Sequence, residues 1–170
     1  PSINKSHYPF LVEENSIRFS LGAIKGIGKA ILQEIVTERQ NGLYKDLNDF
    51  CLRVSSRVGN RKILANLIYA GAFDELGPNR ASLLATIDTA LKNREVLKAN
   101  DSLFSEDELR AFSLKQMEIE EMHIGEKLNQ EKEVTGVYLS NHPVEIYDAF
   151  FRQYSIIPIV DAASNHQVTI

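Results

Sequence analysis

Two glycines one residue apart, with a lysine on either side, are the first candidate for chemistry in this sequence. The run Lys25-Gly26-Ile27-Gly28-Lys29 stands directly before a stretch with helical periodicity. The first N–H groups of a helix have no partner inside it and carry a partial positive charge. Glycine permits positive φ and close approach, so these N–H groups could hold a phosphate, with the lysines adding attraction. A tight helix–helix turn with solvated lysines is the alternative, and the spacing alone does not separate the two.

Catalytic chemistry has little support in the sequence. Asp46 and Asp49 lie three apart on a predicted helix, where capping is a simpler role than holding a pair of metal ions. The acidic residues near 120 form an exposed run. Metal-ligand spacing is missing between the following residues: Cys51, His123, His142 and His166. With no nucleophile beside a base, we expect this chain to bind rather than to catalyse.

Charge is distributed unevenly along the chain. Residues 1–100 hold 14 Lys+Arg and 10 Asp+Glu, whereas residues 101–170 hold 5 and 13. The asymmetry suggests two different partners. The single cysteine, Cys51, fits a reducing cytoplasm and a buried apolar role. No apolar run approaches the roughly 20 residues that span a membrane, and the start at Pro1 suggests a segment of a longer protein.

Periodicity predicts the elements that must position the glycine turn. Alternation over 10–20, with a polar turn at 13–15, predicts a β-hairpin. Apolar residues at helical spacing predict helices that begin near the following positions: Lys29, Asp46, Ile63, Arg80 and Ile124. Glycines mark two of the ends, at Asn41-Gly42 and at Gly71, and the helix from Ile124 is expected to reach Tyr138. Pro143 should open a last short helix.

A second glycine-containing turn, Gly77-Pro78-Asn79-Arg80, also leads into an amphipathic helix. The two turns form a weak internal duplication. An apolar residue, a Gly-hydrophobe-Gly turn and an amphipathic helix make up the pattern of a helix-hairpin-helix motif, which binds the DNA backbone without reading sequence.

Three phrases extend this resemblance over nearly the whole chain: "IRFSLGAIKGIG", "LIYAGAFDELGPNRASLL" and "GVYLSNHPVEIY". In this order and spacing they closely resemble the alpha subunits of bacterial DNA polymerase III, the C family of DNA polymerases. The sequence departs from the pattern in two places. Ile24-Lys25 stands where many such motifs have Leu-Pro, and the second turn lacks Gly-X-Gly.

The resemblance implies a mainly α fold, with a tandem helix-hairpin-helix domain between a short β-hairpin and a helical connector. It places the end of a fingers region at 1–20, the DNA-binding domain at 21–99, an acidic connector at 100–123, and at 124–170 a connector leading into an oligonucleotide-binding barrel. The catalytic aspartates and Mg²⁺ of the family would lie in the parent polymerase, upstream of residue 1. This part of it would need no cofactor, and its location would be the nucleoid in the cytoplasm.

The implied function is non-sequence-specific binding of duplex DNA, which holds primer-template behind the active site. The expected contact residues are Lys25, Gly26, Ile27, Gly28, Lys29, Lys62, Gly77, Asn79 and Arg80. The alternative is a protein-interaction module of the replisome without direct DNA contact. A helix-hairpin-helix glycosylase is disfavoured because no pocket chemistry for a flipped base is visible.

The segment "NDSLFS" is a candidate for a second partner. Leu103 and Phe104 form an apolar pair in a polar neighbourhood, and such a pair favours burial. Docking back onto the chain's own domain is one possibility. In the family a short segment here binds the sliding clamp, with a Gln three residues before the aliphatic position. Asn100 stands there in this chain, so the resemblance implies weakened clamp binding.

Overall fold

The computed structural model describes residues 1–99 and 118–156. Near its start, strand β1 (Leu11–Glu13) pairs antiparallel with strand β2 (Ser16–Arg18), and Val12 stands opposite Ile17. The predicted hairpin is therefore confirmed. Its strands are too short to bury an apolar face, and Val12 is 86% exposed.

Within residues 1–99 and 118–156 six α-helices follow, and the mainly helical class is confirmed. They are α1 (Lys29–Glu38), α2 (Leu47–Arg53), α3 (Arg61–Tyr69), α4 (Arg80–Ala99), α5 (Ile124–Thr135) and α6 (Asp148–Gln153). Short 3-10 helices lie at Leu21–Ala23, Arg39–Asn41 and Pro143–Tyr147. Of the helices that the described residues form, none is long and apolar enough to cross a bilayer.

Local signals set most of the helix boundaries. The Asp46 carboxylate accepts a hydrogen bond from the Asp49 N–H at 2.7 Å, as expected for an N-cap. Gly42 ends the α1 region with φ of 125°. The predicted end of α5 at Tyr138 is wrong by three residues, because Gly136 adopts a left-handed conformation and stops the helix at Thr135.

The core lies where α4 packs against α2 and α3. Phe50 contacts Tyr44 and Phe73 edge-to-face, with ring centroids 4.8 and 5.2 Å apart. Cys51 is fully buried beside them, and burial raises the pKa of its thiol to about 12. The thiol therefore stays protonated, and Cys51 acts as a small buried apolar residue.

Helix α5 returns the chain to the first glycine turn. It packs against α3, and the carbonyl of Val134 in its last turn accepts a hydrogen bond from the Lys25 N–H at 2.8 Å. Val134 is itself part of the buried core. The turn before α1 is thus held by a segment more than 100 residues later in the sequence.

Candidate nucleic-acid interface

Gly26 forms the bend of the first turn. Its φ is 84°, a left-handed conformation that L side chains rarely adopt. The Asn66 side-chain amide on α3 donates to the Lys25 carbonyl at 2.8 Å, while the Lys25 N–H donates to Val134 on α5. Two long-range hydrogen bonds at Lys25 therefore fix the conformation that Gly26 makes possible.

Gly28 has a different reason to be glycine. It is the N-cap of α1, with φ of −78° and ψ of 166°, an extended conformation open to any residue. A Cβ at this position would meet nothing within 4 Å. Neither backbone strain nor packing against the described part of the chain requires glycine here, whereas the close approach of a ligand would.

The start of α1 is open to solvent. Gly28, Lys29 and Ala30 are exposed, and across residues 1–99 and 118–156 no acceptor is found for their backbone N–H groups. Ile27 differs from them, because its side chain is buried in the core and its N–H donates to the Ile24 carbonyl at 3.0 Å. In this structure Ile27 anchors the turn from inside the core, and the DNA contact predicted for it stays a prediction.

Three lysines surround this helix start. Lys29 lies in the first turn of α1, and Lys62 lies in the first turn of α3, beside the Ile63 side chain that reaches Gly26. Both are exposed, and neither has an ion-pair partner among the described residues. Lys25 is also exposed and pairs with Glu133 at 3.2 Å, which partly offsets its charge. The open N–H groups thus lie in a locally basic surface.

The second turn is built differently. A Cβ on Gly77 would lie 2.6 Å from a Leu83 methyl carbon, so packing against Leu83 explains the glycine. Its φ is not in the left-handed range. The prediction that Gly77 opens the backbone to a phosphate is not supported by this geometry.

Arg80 is likewise not a surface residue. Its side chain is 4% exposed, and its guanidinium donates to Asp74 at 2.8 and 2.9 Å, to the Tyr69 carbonyl at 2.8 Å and to Glu131 at 3.1 Å. All three of its nitrogens are occupied by protein acceptors. In this structure the Arg80 side chain joins α4 to α5, and the phosphate contact predicted for it stays a prediction.

The N–H groups at the start of α4 also have partners. The Asn79 side-chain oxygen accepts from the Ser82 N–H at 2.8 Å, and the Glu121 carboxylate accepts from Arg80 and Ala81 at 3.3 and 3.1 Å. The Asn79 amide donates to the Ile119 carbonyl at 2.7 Å, so Asn79 too is engaged within the chain. The N–H groups of Arg80, Ala81 and Ser82 therefore all have acceptors, unlike those of Gly28, Lys29 and Ala30 within the described part of the chain.

Sequence reasoning missed two residues that shape these turns. Asn66 interrupts an otherwise apolar helical face, between Ile63 and Leu67, and that interruption was a readable signal. Glu121 was visible only as one member of an acidic run, and nothing local distinguished it from Glu118 or Glu120. The predicted clamp-binding residues Asn100, Leu103 and Phe104 lie outside the described residues.

Comparison with known proteins bears on this interface. A family model described as a helix-hairpin-helix motif matches residues 1–83, which include both turns. The chain is also similar to the DNA polymerase III subunit alpha of several bacteria. It is 43% identical over 165 residues to that of Bacillus subtilis, a match that covers 95% of this chain and 15% of the relative.

Other relatives give the same result. The subunit from Pseudomonas fluorescens is 34% identical over 186 residues, covering 95% of this chain and 16% of its own length. The subunit from Neisseria meningitidis serogroup A is 42% identical over 158 residues, covering 90% of this chain and 14% of its own length. This chain therefore spans about one sixth of the length of the curated relatives it matches.

Proposed function

This chain is homologous to a region of the DNA polymerase III alpha subunits and carries a helix-hairpin-helix motif, and from this premise we propose that it binds duplex DNA through the sugar-phosphate backbone. In a parent polymerase it would hold the primer-template behind the active site. The homologues are DNA polymerase subunits by name, and a polymerase activity with Mg²⁺ as its metal ion is proposed here for the parent chain.

The observation that carries the proposal is the open start of α1. Exposed N–H groups at Gly28, Lys29 and Ala30 point out of a helix end with no acceptor in the described structure. A helix N-terminus of this kind favours an anion, and the exposed lysines around it add charge attraction. A backbone phosphate is the anion that fits a helix-hairpin-helix motif.

The same contacts explain why sequence would not matter. Backbone N–H groups and lysine side chains recognise phosphate, which is the same at every base pair. A replicative enzyme must move along DNA, and contacts of this kind permit movement. The proposed contact set is Lys25, Gly26, Gly28, Lys29 and Lys62, which is the predicted set without Ile27 and the second turn.

A second contact, with the sliding clamp, belongs to the same proposal. It depends on Leu103 and Phe104 in residues 100–117, together with the resemblance that placed a clamp-binding segment there. One aliphatic and one aromatic side chain are suitable anchors for a small peptide interface. The acidic connector and the segment beyond residue 124 would then link the DNA-binding domain to an oligonucleotide-binding barrel in the parent polymerase, in the nucleoid of the cytoplasm.

The alternative is a replisome interaction module without DNA contact, and one observation favours it. The start of α4 is filled by a carboxylate of the chain itself, so one of the two hairpins has no free anion site in this conformation. Partners other than DNA, such as further replisome subunits, would then use the acidic half of the chain.

Fluorescence anisotropy with labelled duplexes of two unrelated sequences separates the two functions. We expect equal affinity for both, and log affinity that falls linearly with log salt concentration, by roughly 0.9 per phosphate contact. An absence of binding at low salt would leave the interaction module as the better account, and a strong preference for one sequence would contradict backbone recognition.

A further inference from the structure

An open groove runs along one face of α1, beginning at its first turn. Leu32 is buried and Val36 half-buried in its floor, whereas Lys29 and Gln33 are exposed at its rim. These four positions follow the helical repeat, so the groove extends along two turns of the helix. Residues 7–9, the segment before β1, form the opposite wall. The groove encloses about 330 Å³, within the range of about 300–1,000 Å³ that is usual for small-molecule sites.

The opposite wall is fixed by hydrogen bonds to other parts of the fold. The Ser20 hydroxyl donates to the Tyr8 carbonyl, and the Leu21 N–H donates to the His7 carbonyl at 3.3 Å. A guanidinium nitrogen of Arg39 also lies 3.1 Å from Nε2 of the His7 ring. These bonds come from residues beyond the hairpin, so the wall is part of the folded chain and needs no ligand to form it.

Tyr8 supplies an aromatic ring to this wall. A Cβ on Gly22 would lie 3.0 Å from a ring carbon, so the missing side chain at Gly22 gives the ring its place. Tyr8 is nevertheless 59% exposed, and contact with the rest of the chain covers only part of it. Proteins that bind single-stranded nucleic acid use exposed aromatic rings of this kind as platforms on which bases stack.

The composition of the groove favours a nucleobase over an apolar side chain of a partner protein. A base has a flat ring face and a polar edge, and the groove offers Leu32 to the first and Gln33 and His7 to the second. Lys29 adds a positive charge, since it is exposed and has no ion-pair partner in the ranges that the structure describes. A phosphate attached to the base would use that charge, whereas a purely apolar segment would not.

The groove also continues the interface proposed for DNA. Lys29 belongs to both, because it lies in the first turn of α1 and lines the near end of the groove. Leu32 follows three residues later, about 4.5 Å further along the helix axis. A nucleotide with its phosphate near Lys29 would therefore have its base beside the groove. A paired base is kept in the duplex stack, so only an unpaired one is free to enter.

We propose that this groove binds an unpaired nucleobase, which stacks on Tyr8 while Lys29 contacts its phosphate. The proposal rests on the DNA-binding function above and adds a preference to it. Taking a base out of the stack costs least when the base is mismatched, bulged or already single-stranded. The chain should therefore bind DNA that contains an unpaired nucleotide more tightly than a perfect duplex.

The first test compares two labelled DNAs by fluorescence anisotropy: a perfect duplex, and the same duplex with one bulged thymine at its centre. The full 170-residue chain should bind the bulged DNA roughly five-fold or more tightly, as stacking of one base on an aromatic ring allows. Equal affinities would overturn the proposal and leave backbone recognition standing. They are also the result expected if an apolar side chain of a partner protein were the occupant.

Substitution of Tyr8 shows whether the preference comes from the groove. Tyr8→Ala should bind both DNAs with the parental affinity for perfect duplex, and Tyr8→Phe should keep the preference, because its ring still stacks. The matched control is Tyr154→Ala, since Tyr154 is 60% exposed and lies outside the groove. A preference for the bulge that survives in Tyr8→Ala, or that is lost equally in Tyr154→Ala, would overturn the assignment to this site.

A second measurement needs neither a substitution nor duplex binding. Thymidine bisphosphate, which carries one base and two phosphates, is titrated into the methyl-labelled parent chain, and the NMR signals of Leu32 and Val36 are followed. Both should shift with the nucleotide and stay in place with inorganic phosphate at the same concentration. No shift with the nucleotide, or equal shifts with phosphate alone, would overturn the base site whether or not the chain binds duplex.

Discussion

Arg80 and Glu131 lie 51 residues apart in sequence and form a buried ion pair, with Nη1 of the guanidinium 3.1 Å from a carboxylate oxygen. Glu131 is fully buried, and its second oxygen accepts from the Leu139 and Ser140 N–H groups at 2.7 and 2.9 Å. One carboxylate thus connects the start of α4, the middle of α5 and the segment that follows. The pair is a buried polar connection between the hairpin domain and the later part of the chain.

Glu131→Gln should strongly destabilise the fold. Removing one partner of a buried ion pair costs about 3–5 kcal/mol when the other charge is left uncompensated. Arg80 keeps its two bonds to Asp74, so the free energy of unfolding, measured by urea titration, should fall by about 3 kcal/mol or less. The control is Glu133→Gln on the same helix, because Glu133 pairs with Lys25 at the surface and exposed pairs contribute little. Equal losses in the two variants would contradict a special role for the buried pair.

Gly28→Val should separate DNA binding from folding. The backbone at Gly28 is extended and a side chain has free space, so the helical circular dichroism signal should be kept. Duplex affinity should drop, since the new side chain stands where a phosphate would approach. Gly26→Ala is the contrasting variant, because its φ of 84° strains any L residue by about 1–2 kcal/mol. A folded Gly28→Val chain with parental DNA affinity would remove the first hairpin from the interface.

Lys29→Ala and Lys62→Ala should each flatten the salt dependence of duplex binding. A lysine that contacts a phosphate contributes roughly 0.9 to the slope of log affinity against log salt, so each loss should be of that size or smaller. Lys5→Ala removes the same charge from a lysine paired with Glu75, and should leave the slope unchanged. If all three variants kept the parental slope, Lys29 and Lys62 would face solvent and would not contact phosphate. Arg80→Ala is not a test of DNA contact, because its loss should unfold the site around Glu131.

A peptide spanning residues 98–107 should bind the cognate sliding clamp, and replacing Leu103 and Phe104 by Ala should abolish the binding. The apolar pair supplies the anchors, while Asn100 reaches less far than the Gln of the family pattern, so affinity should rise in Asn100→Gln. Isothermal calorimetry measures all three peptides. No heat of binding from the parent peptide or from the whole chain would reject the clamp contact.

The sequence predicted those features whose causes are local. Asp46 caps a helix through the N–H of Asp49, three residues later, and Gly42 ends one with its own backbone conformation, so each could be read from a few neighbours. Arg80 could not. It looked like a surface arginine at a helix start, but its partners include Glu131, and only the fold brings them together. Glu121 was hidden for the same reason, since its acceptor role at Ala81 joins positions 40 residues apart.

Helix α5 sets the distance between the two hairpin turns. It begins just after Glu121, which caps the second hairpin and is bonded by Lys127, and it ends at the first hairpin, where the Val134 carbonyl accepts from the Lys25 N–H. An α-helix advances about 1.5 Å and turns about 100° per residue. One inserted or deleted residue between Lys127 and Val134 would rotate Glu131 out of reach of Arg80 and move Val134 away from the first turn. Chain-length changes in this stretch should therefore be far less tolerated than substitutions at its exposed positions, because the helix serves as a spacer between the two hairpins.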